Sequence, residues 1–271
     1  CATELEAEVT ELRLIIATRP RHNRRSRPPK SSHFVKLTDE RFPRLSLVRT
    51  VRDNGLAYLG PYRSQRAARV VMEAIWDAVP VRRCTGPPGR RTSPCAMAQL
   101  GVAMCPCDGS LAEDEYRPIV ERIVAAIESE PELLLEPLAA RTTELAAAER
   151  FEEAAWIRDR HHALARSLER RRAWQCLTRA GVVWGETVQG EAALIDRGRL
   201  VGSWAAGQTP PLVPANAPAP DVPAVPEQLG DAEEAHLIWR WLTSGRVRLI
   251  DADHPISLPV RAVPRLDRIA V

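Results

Sequence analysis

Residues 80–107 of this 271-residue chain are PVRRCTGPPGRRTSPCAMAQLGVAMCPC. The stretch holds four of the chain's six cysteines, Cys84, Cys95, Cys105 and Cys107, with Pro and Gly between them. Short loops of this composition can bring several thiolates around one soft metal centre without a large core. The stretch therefore predicts a zinc ion or an iron–sulfur cluster, with disulfides or inert buried thiols as the alternatives.

The composition is that of a soluble globular protein, with 45% apolar and 27% charged residues. The sequence shows no signal peptide and no apolar run of membrane-spanning length, so we expect a cytoplasmic chain without a membrane partner. Thiols stay reduced in that compartment, which favours a metal centre over disulfides. The length favours two or more small units over one.

A basic segment, RPRHNRRSRPPK, occupies residues 19–30. Its six cationic residues are Arg19, Arg21, Arg24, Arg25, Arg27 and Lys30. Further arginines, at 82, 83, 90 and 91, flank the first two cysteines. Such local charge suits a DNA phosphate backbone, because binding releases condensed counterions. A solvated basic loop is the alternative.

Hydrophobic periodicity and turn residues predict the order of elements. In the first half they are a helix over 3–18, strands over 33–37 and 45–51, a tight turn over 60–62, and helices over 65–79 and 113–129. The second half is predicted to contain a helix pair over 138–172 broken near Arg150, a three-stranded meander over 181–204, an extended linker over 207–228, a helix over 232–243 and a strand over 247–250. Ser64 is the predicted cap of the second helix.

Several motifs, read in order, resemble the UvrC/Cho nuclease family of nucleotide excision repair and its exonuclease-fused relatives. ELRLI at 11–15 and RPRHN at 19–23 resemble the segments that end the family's GIY-YIG nuclease domain. LGPY at 59–62 and PVRRC at 80–84 resemble segments that follow it. The resemblance implies an α+β fold of several units.

We expect the following division of the chain: 1–24 as the end of a GIY-YIG domain, 25–83 as connecting strands and helix, 84–135 as a cysteine-rich module with a helix, 138–172 as a UVR-like helical hairpin, 173–206 as a small β meander, 207–228 as a Pro-rich linker, and 229–271 as a terminal helix and strand.

The family's cysteine region is associated with a cluster held by four cysteines. Ala103 stands here at the third cysteine's place, and Cys105 follows two residues later. Either Cys105 substitutes through a local backbone change, or the cluster is lost while the fold persists. The resemblance implies a 4Fe-4S cluster on Cys84, Cys95, Cys105 and Cys107, with zinc as the alternative.

Residues 144–159, ELAAAERFEEAAWIRD, resemble the UVR motif through which the family docks on UvrB. The resemblance implies a UvrB-like partner that contacts Phe151, Ala154, Ala155, Ile157 and Arg158. A short hairpin buries little surface alone, so a partner is its natural completion. The alternative is a hairpin that packs only within its own chain.

Two residues match the family's nuclease site. Glu11 matches a glutamate that binds a divalent ion, Mg or Mn, and Asn23 matches an asparagine that supports the site. A solvated surface role is the alternative for Glu11. The GIY and YIG segments do not occur in this chain, so we expect them upstream of Cys1 and expect no DNA cleavage by this fragment alone.

The C-terminal hundred residues show no further carboxylate motif, so Asp251, Asp253 and His254 are interpreted as a polar turn and a second nuclease site is not expected. Two functions of different class remain open. The chain is either part of a DNA-repair nuclease that binds DNA and a UvrB-like protein, or a non-catalytic repair adaptor with a metal-binding cysteine module.

Overall fold

The structure is a computed structural model that describes residues 1–20, 31–208, 223–256, 263, 264 and 266. Within these residues it contains seven helices and two antiparallel sheets, which confirms the mixed α and β character of the fold. In chain order the elements are α1 (Glu4–Thr18), β1 (His33–Thr38), β2 (Leu45–Val48), β3 (Gly55–Tyr62), α2 (Gln65–Ala78), α3 (Ala96–Gln99), α4 (Glu113–Glu128), α5 (Glu132–Ala147), α6 (Phe151–Ala180), β4 (Val182–Thr187), β5 (Ala192–Asp196), β6 (Arg199–Trp204), α7 (Leu229–Leu242) and β7 (Val247–Ala252).

The chain divides into two compact units. The central unit comprises the described residues of His33–Glu169 and Pro259–Val271. The terminal unit comprises those of Cys1–Ser32 and Arg170–Leu258. The seven-segment division expected from the sequence stays a prediction.

The sheet of the central unit has the strand order β2-β1-β3. Val35 of β1 faces Leu47 on one side and Leu59 on the other. The tight turn predicted at Gly60, Pro61 and Tyr62 is wrong, because these residues continue β3. A proline is tolerated there because β3 is an edge strand, whose outer side has no ladder partner for a backbone N–H.

Helices α2, α4, α5 and α6 bury their apolar faces with this sheet in one core. The Ser64 Oγ accepts the Ala67 N–H at 3.2 Å, so the predicted cap of α2 is confirmed. The predicted break of the helix pair is also confirmed, since α5 ends at Ala147 and α6 begins at Phe151. Both helices extend beyond their predicted outer limits.

The terminal unit packs α1 and α7 on a four-stranded sheet with the order β6-β5-β4-β7. The three strands of the predicted meander are confirmed, but the sheet also includes β7, which pairs with β4. Leu5 and Val9 of α1 share a core with Leu177, Ile195 and Ile238. Segments from the two ends of the chain therefore build one unit, which local sequence patterns do not predict.

Among the helices of the described residues, none has the length and apolar character needed to cross a membrane. The predicted Pro-rich linker falls largely on residues 209–222, which lie outside the described ranges.

Candidate functional site

The thiols of the cysteine-rich stretch converge at one point of the central unit. The Sγ atoms of Cys84, Cys95 and Cys105 all lie within 4.8 Å of one another. Cys107 belongs to the same buried cluster, and its Sγ accepts the Cys95 N–H at 3.2 Å. The structure thus brings together all four cysteines that the sequence singles out. Cys1 is exposed, and Cys176 lies on α6 among the residues of the terminal unit.

Backbone hydrogen bonds between loops fix the thiols. The Gly89 N–H donates to the Pro106 carbonyl at 2.8 Å, and the Arg91 N–H donates to the Cys107 carbonyl at 2.9 Å. The Met104 N–H donates to the Pro80 carbonyl at 2.7 Å. These bonds join the segment that follows α2 to the segment that carries Cys105 and Cys107. The positions of the thiols therefore do not depend on a local hydrophobic core.

Arg82 anchors the start of the cysteine stretch. Only 2% of its surface is exposed, and its guanidinium donates to the carbonyls of Phe42 and Gly86. Its backbone N–H donates to the Tyr116 hydroxyl at 2.9 Å, and this hydroxyl donates to the Pro43 carbonyl. The expectation that Arg82 offers charge to a phosphate is therefore wrong, because its donors serve the interior.

The other three arginines of the stretch differ in exposure. The Arg83 guanidinium lies over the Trp76 ring, 5.2 Å from its centroid, and donates to the Trp76 carbonyl. Burial lowers the pKa of Arg83 from its usual value. Arg90 and Arg91 are exposed. Only these last two keep the free surface position that a phosphate contact needs.

Backbone N–H groups point at the sulfur atoms. Cys105 receives hydrogen bonds from the N–H groups of Arg83 and Cys84, yet burial is the larger effect and raises the pKa of the Cys105 thiol to about 11. Burial also raises the pKa of Cys107. For Cys95, burial is the largest single effect and acts upward, but hydrogen bonds from Ala98 and the neighbouring thiols together hold the Cys95 pKa below its ordinary value.

Four clustered cysteines, three of which accept N–H···S hydrogen bonds, form a donor set for a soft metal. Thiolate is the ligand that zinc and iron–sulfur clusters prefer, and hydrogen bonds to the sulfurs stabilise the ionised ligands. Asp251, Asp253 and His254 contribute no comparable group within the described ranges. The Asp253 carboxylate instead accepts the Val182 N–H at 2.8 Å, as expected for a polar turn.

Glu11 lies on the exposed face of α1, opposite the buried Leu5, Val9 and Leu12. Among the described residues, no hydrogen bond or ion pair holds its carboxylate. Glu8, one turn earlier, is paired with Arg240 at 2.5 Å. Asn23, the predicted supporting residue, lies outside the described residues.

The basic segment is described only at its start. Arg19 caps α1 in the left-handed conformation and is exposed. With Arg13, Arg199 and Ser32 it lines an open cavity of about 540 Å³ in the terminal unit. The predicted DNA-binding residues Arg21, Arg24, Arg25, Arg27 and Lys30 lie outside the described ranges.

The residues predicted to contact a partner protein separate into two groups. Ala154 and Ile157 are 7% and 5% exposed and pack in the core of the central unit. Ala155 is half-buried. Phe151 is 66% exposed and Arg158 is also exposed.

Comparison with known protein families identifies what this chain resembles. Residues 33–126 match the model of the UvrC/Cho excinuclease middle domain. The resemblance to the UvrC/Cho family is thereby confirmed. The matched residues include all four cysteines of the cluster and end within α4.

Relatives among curated proteins extend the similarity. The chain is 32% identical over 170 residues to the UvrABC system protein C of Methanothermobacter thermautotrophicus, which covers 63% of this chain and 29% of that protein. It is 37% identical over 162 residues to the protein of the same name from Thermus thermophilus, covering 59% and 28% of the two chains. No solved structure matches it.

A third relative covers nearly the whole chain. A Mycobacterium tuberculosis protein, whose name describes a bifunctional exonuclease/endonuclease, is 34% identical over 285 residues, or 97% of this chain and 43% of that protein. The chain thus spans less than half the length of each of these relatives. It is similar to one section of each of these longer proteins.

Sequence reasoning missed one exposed residue of the hairpin. Trp156 is 62% exposed on α6, between the buried Ala154 and Ile157. The helical spacing of the sequence already indicates this exposure. Positions i and i+3 of an amphipathic helix face its core, and a tryptophan that falls outside them faces away from the core.

Proposed function

We propose that this chain is a section of a DNA-repair nuclease of the UvrC/Cho type, in which it binds DNA and docks a UvrB-like protein. The observation that carries the proposal is the match of the cysteine-bearing residues 33–126 to the excinuclease middle domain. The similarity of 97% of the chain to a protein named as an exonuclease/endonuclease supports a role beside phosphodiester cleavage.

Glu11 is the proposed ligand of a divalent ion, Mg or Mn, with Asn23 as its supporting residue. An exposed carboxylate on a rigid helix, without a cationic partner among the described residues, is available to a hard cation. Such an ion neutralises the charge that develops in phosphodiester hydrolysis. The other catalytic groups of the GIY-YIG type would come from outside this sequence.

DNA contact is proposed for the basic segment that begins at Arg19. Arg19 lines a cavity with Arg13 and Arg199, whose charges are balanced there by Glu234 and Asp231. The proposed contact therefore depends on Arg19 and the basic residues that follow it in sequence, because local positive charge attracts a polyanion. The arginines at 21, 24, 25 and 27 and Lys30 would extend this contact along the phosphates.

Partner docking is proposed for the start of α6. Phe151 and Trp156 are large apolar side chains that are more than 60% exposed, and Arg158 lies beside them in sequence. Aromatic and arginine residues are those most often found at the energetic centre of protein interfaces. Ala154, Ala155 and Ile157 support this surface from within, because Ala154 and Ile157 belong to the core of the central unit.

The decisive experiment is a single-turnover cleavage assay of damaged duplex DNA by the full-length protein with Mg²⁺ and a UvrB-like partner. Glu11→Gln should lower the cleavage rate about 100-fold or more, because the divalent ion that neutralises the developing charge loses a ligand. Glu4→Gln, at another exposed glutamate of α1, is the matched control and should cleave at the wild-type rate.

Cleavage at the wild-type rate by Glu11→Gln would overturn the role of Glu11. If the wild-type protein binds DNA and partner but cleaves no DNA under any of these conditions, the nuclease proposal fails. The chain would then be a repair adaptor, the second function that the sequence leaves open.

A further inference from the structure

The distances among the cysteine sulfurs discriminate between the metals that they could hold. The Sγ atoms of Cys84, Cys95 and Cys105 lie within 4.8 Å of one another. Thiolates around one tetrahedral zinc ion, with Zn–S bonds of about 2.3 Å, lie about 3.8 Å apart. The S–S distances need to shorten by about 1 Å or less to reach this geometry, which side-chain rotation can achieve.

A four-iron cluster fits these sulfurs less well than zinc does. Each of its four cysteines binds a different iron, so four irons and four sulfides must lie among the thiolates. The sulfurs of Cys84, Cys95 and Cys105, within 4.8 Å of one another, would have to move apart to admit such a core. The Ala103 methyl group, on a residue only 4% exposed, also packs into this cluster at the position where the family pattern has its third cysteine.

We propose that Cys84, Cys95, Cys105 and Cys107 bind a single structural zinc ion instead of an iron–sulfur cluster. Cys107 would be the fourth ligand, because its sulfur lies in the same buried cluster and accepts the Cys95 N–H. This sulfur is farther than 4.8 Å from at least one of the other three and would move inward to bind the ion. Cys105 supplies the ligand that Ala103 cannot. Its displacement by two residues brings its sulfur close to those of Cys84 and Cys95.

The surroundings fit a structural role for this zinc ion. Cys95, Cys105 and Cys107 are 7%, 5% and 2% exposed, so four thiolates would close the coordination shell and leave no position for a substrate. The segment from 85 to 94 is exposed throughout and has no apolar core of its own. The ion would therefore stabilise loops that are otherwise held by a few backbone hydrogen bonds. This inference does not depend on the proposed nuclease role.

The metal content of the whole chain, purified without oxygen, tests the proposal. We expect about one zinc per chain, no acid-labile sulfide and no broad visible absorption. X-ray absorption at the zinc edge should show a shell of four sulfurs at about 2.3 Å and no neighbouring metal. Both measurements use the wild-type protein, so they do not depend on the folding of a variant.

Variants then identify the ligands. Cys105→Ser should lose most of the zinc, whereas Cys176→Ser, which removes a thiol outside the cluster, should keep it. Cobalt in place of zinc should give the intense visible bands of a tetrahedral thiolate site, and Cys107→Ser should lower its thiolate charge-transfer band by about a quarter if four thiolates bind.

The exchange variant Ala103→Cys with Cys105→Ala restores the family's spacing and should shift the bound metal from zinc towards iron and sulfide. Iron and sulfide at about four each per chain in the wild-type protein would overturn the proposal. A zinc content unchanged in Cys105→Ser would overturn it as well.

Discussion

Arg13 of α1 and Glu234 of α7 form a two-point ion pair across 221 residues of sequence. The Arg13 Nη2 lies 2.6 Å from one Glu234 oxygen, and the Arg13 Nε lies 3.0 Å from the other. Glu234 is 5% exposed and also accepts the Leu200 N–H at 2.8 Å. The Arg13 pKa is raised because the guanidinium is hydrogen-bonded to this carboxylate. A single buried carboxylate thus joins the first helix, the last helix and β6.

Removing this pair should destabilise the terminal unit. Arg13→Gln leaves the buried Glu234 charge uncompensated, so we expect a loss of about 3 kcal/mol in the free energy of unfolding measured with urea. Glu8→Gln breaks the more exposed pair with Arg240 and should cost less than about 1 kcal/mol. Equal losses in the two variants would show that the pair with the buried Glu234 stabilises the protein no more than an exposed ion pair does.

The start of α6 should separate binding from stability. Phe151→Ala should weaken association with a UvrB-like protein about 10-fold or more, while the free energy of unfolding changes by less than about 0.5 kcal/mol, because the ring is 66% exposed. Ile157→Ala is the control and should destabilise by about 2 kcal/mol or more. Calorimetric titration and thermal melts measure both quantities. Unfolding by Phe151→Ala would show that the ring belongs to the core.

The basic segment should dominate the salt dependence of DNA binding. Replacing Arg24, Arg25 and Arg27 with Ala should reduce the slope of log affinity against log salt by up to about 2.7, because each lost phosphate contact removes about 0.9. Fluorescence anisotropy with duplex DNA at several salt concentrations measures the slope. Replacing Arg52, Arg66 and Arg69, three exposed arginines of the central unit, controls for the change in net charge. A slope that stays at the wild-type value assigns the segment to a solvated loop.

The stability of the metal-free protein should fall at high pH. The Cys105 pKa is raised from 9.0 to about 11 in the folded state, so the stabilisation is complete below pH 9 and is lost as the pH rises to about 11. The expected loss from this thiol is about 2 to 3 kcal/mol. Urea unfolding under reducing conditions at pH 8 and pH 11 measures it. Cys105→Ala should remove this part of the loss, and Cys1→Ala should not.

Local patterns predicted the elements whose signals are local. The Leu5, Val9 and Leu12 spacing predicted α1, and Ser64 predicted the start of α2. The Gly60-Pro61 pair is typical of a turn, and composition does not reveal that β3 is an edge strand, where a proline is tolerated. Edge position depends on strand order, which is a property of the whole sheet.

The cysteine cluster and the proposed partner surface could be predicted from the sequence to different extents. The closeness of the four cysteines in sequence was sufficient to predict that they converge, since the short loops between them keep them close in space. The sequence left open whether Cys105 replaces the missing thiol at Ala103, because this depends on distances of a few Å between loops. The motif likewise could not separate Phe151, which is exposed, from Ile157, which is buried, because burial depends on how α6 packs in the core.

The pairing of α1 with α7 sets the order of events during synthesis. At about 5 to 20 residues per second, the ribosome needs about 10 to 40 s to proceed from the end of α1 to the start of α7. Throughout this interval the apolar face of α1 lacks its helix partner α7, and the strands that it also packs on begin only at Val182. The central unit has all of its helices and strands available earlier and can fold meanwhile. The nascent first helix is therefore the segment of this chain that most needs a chaperone.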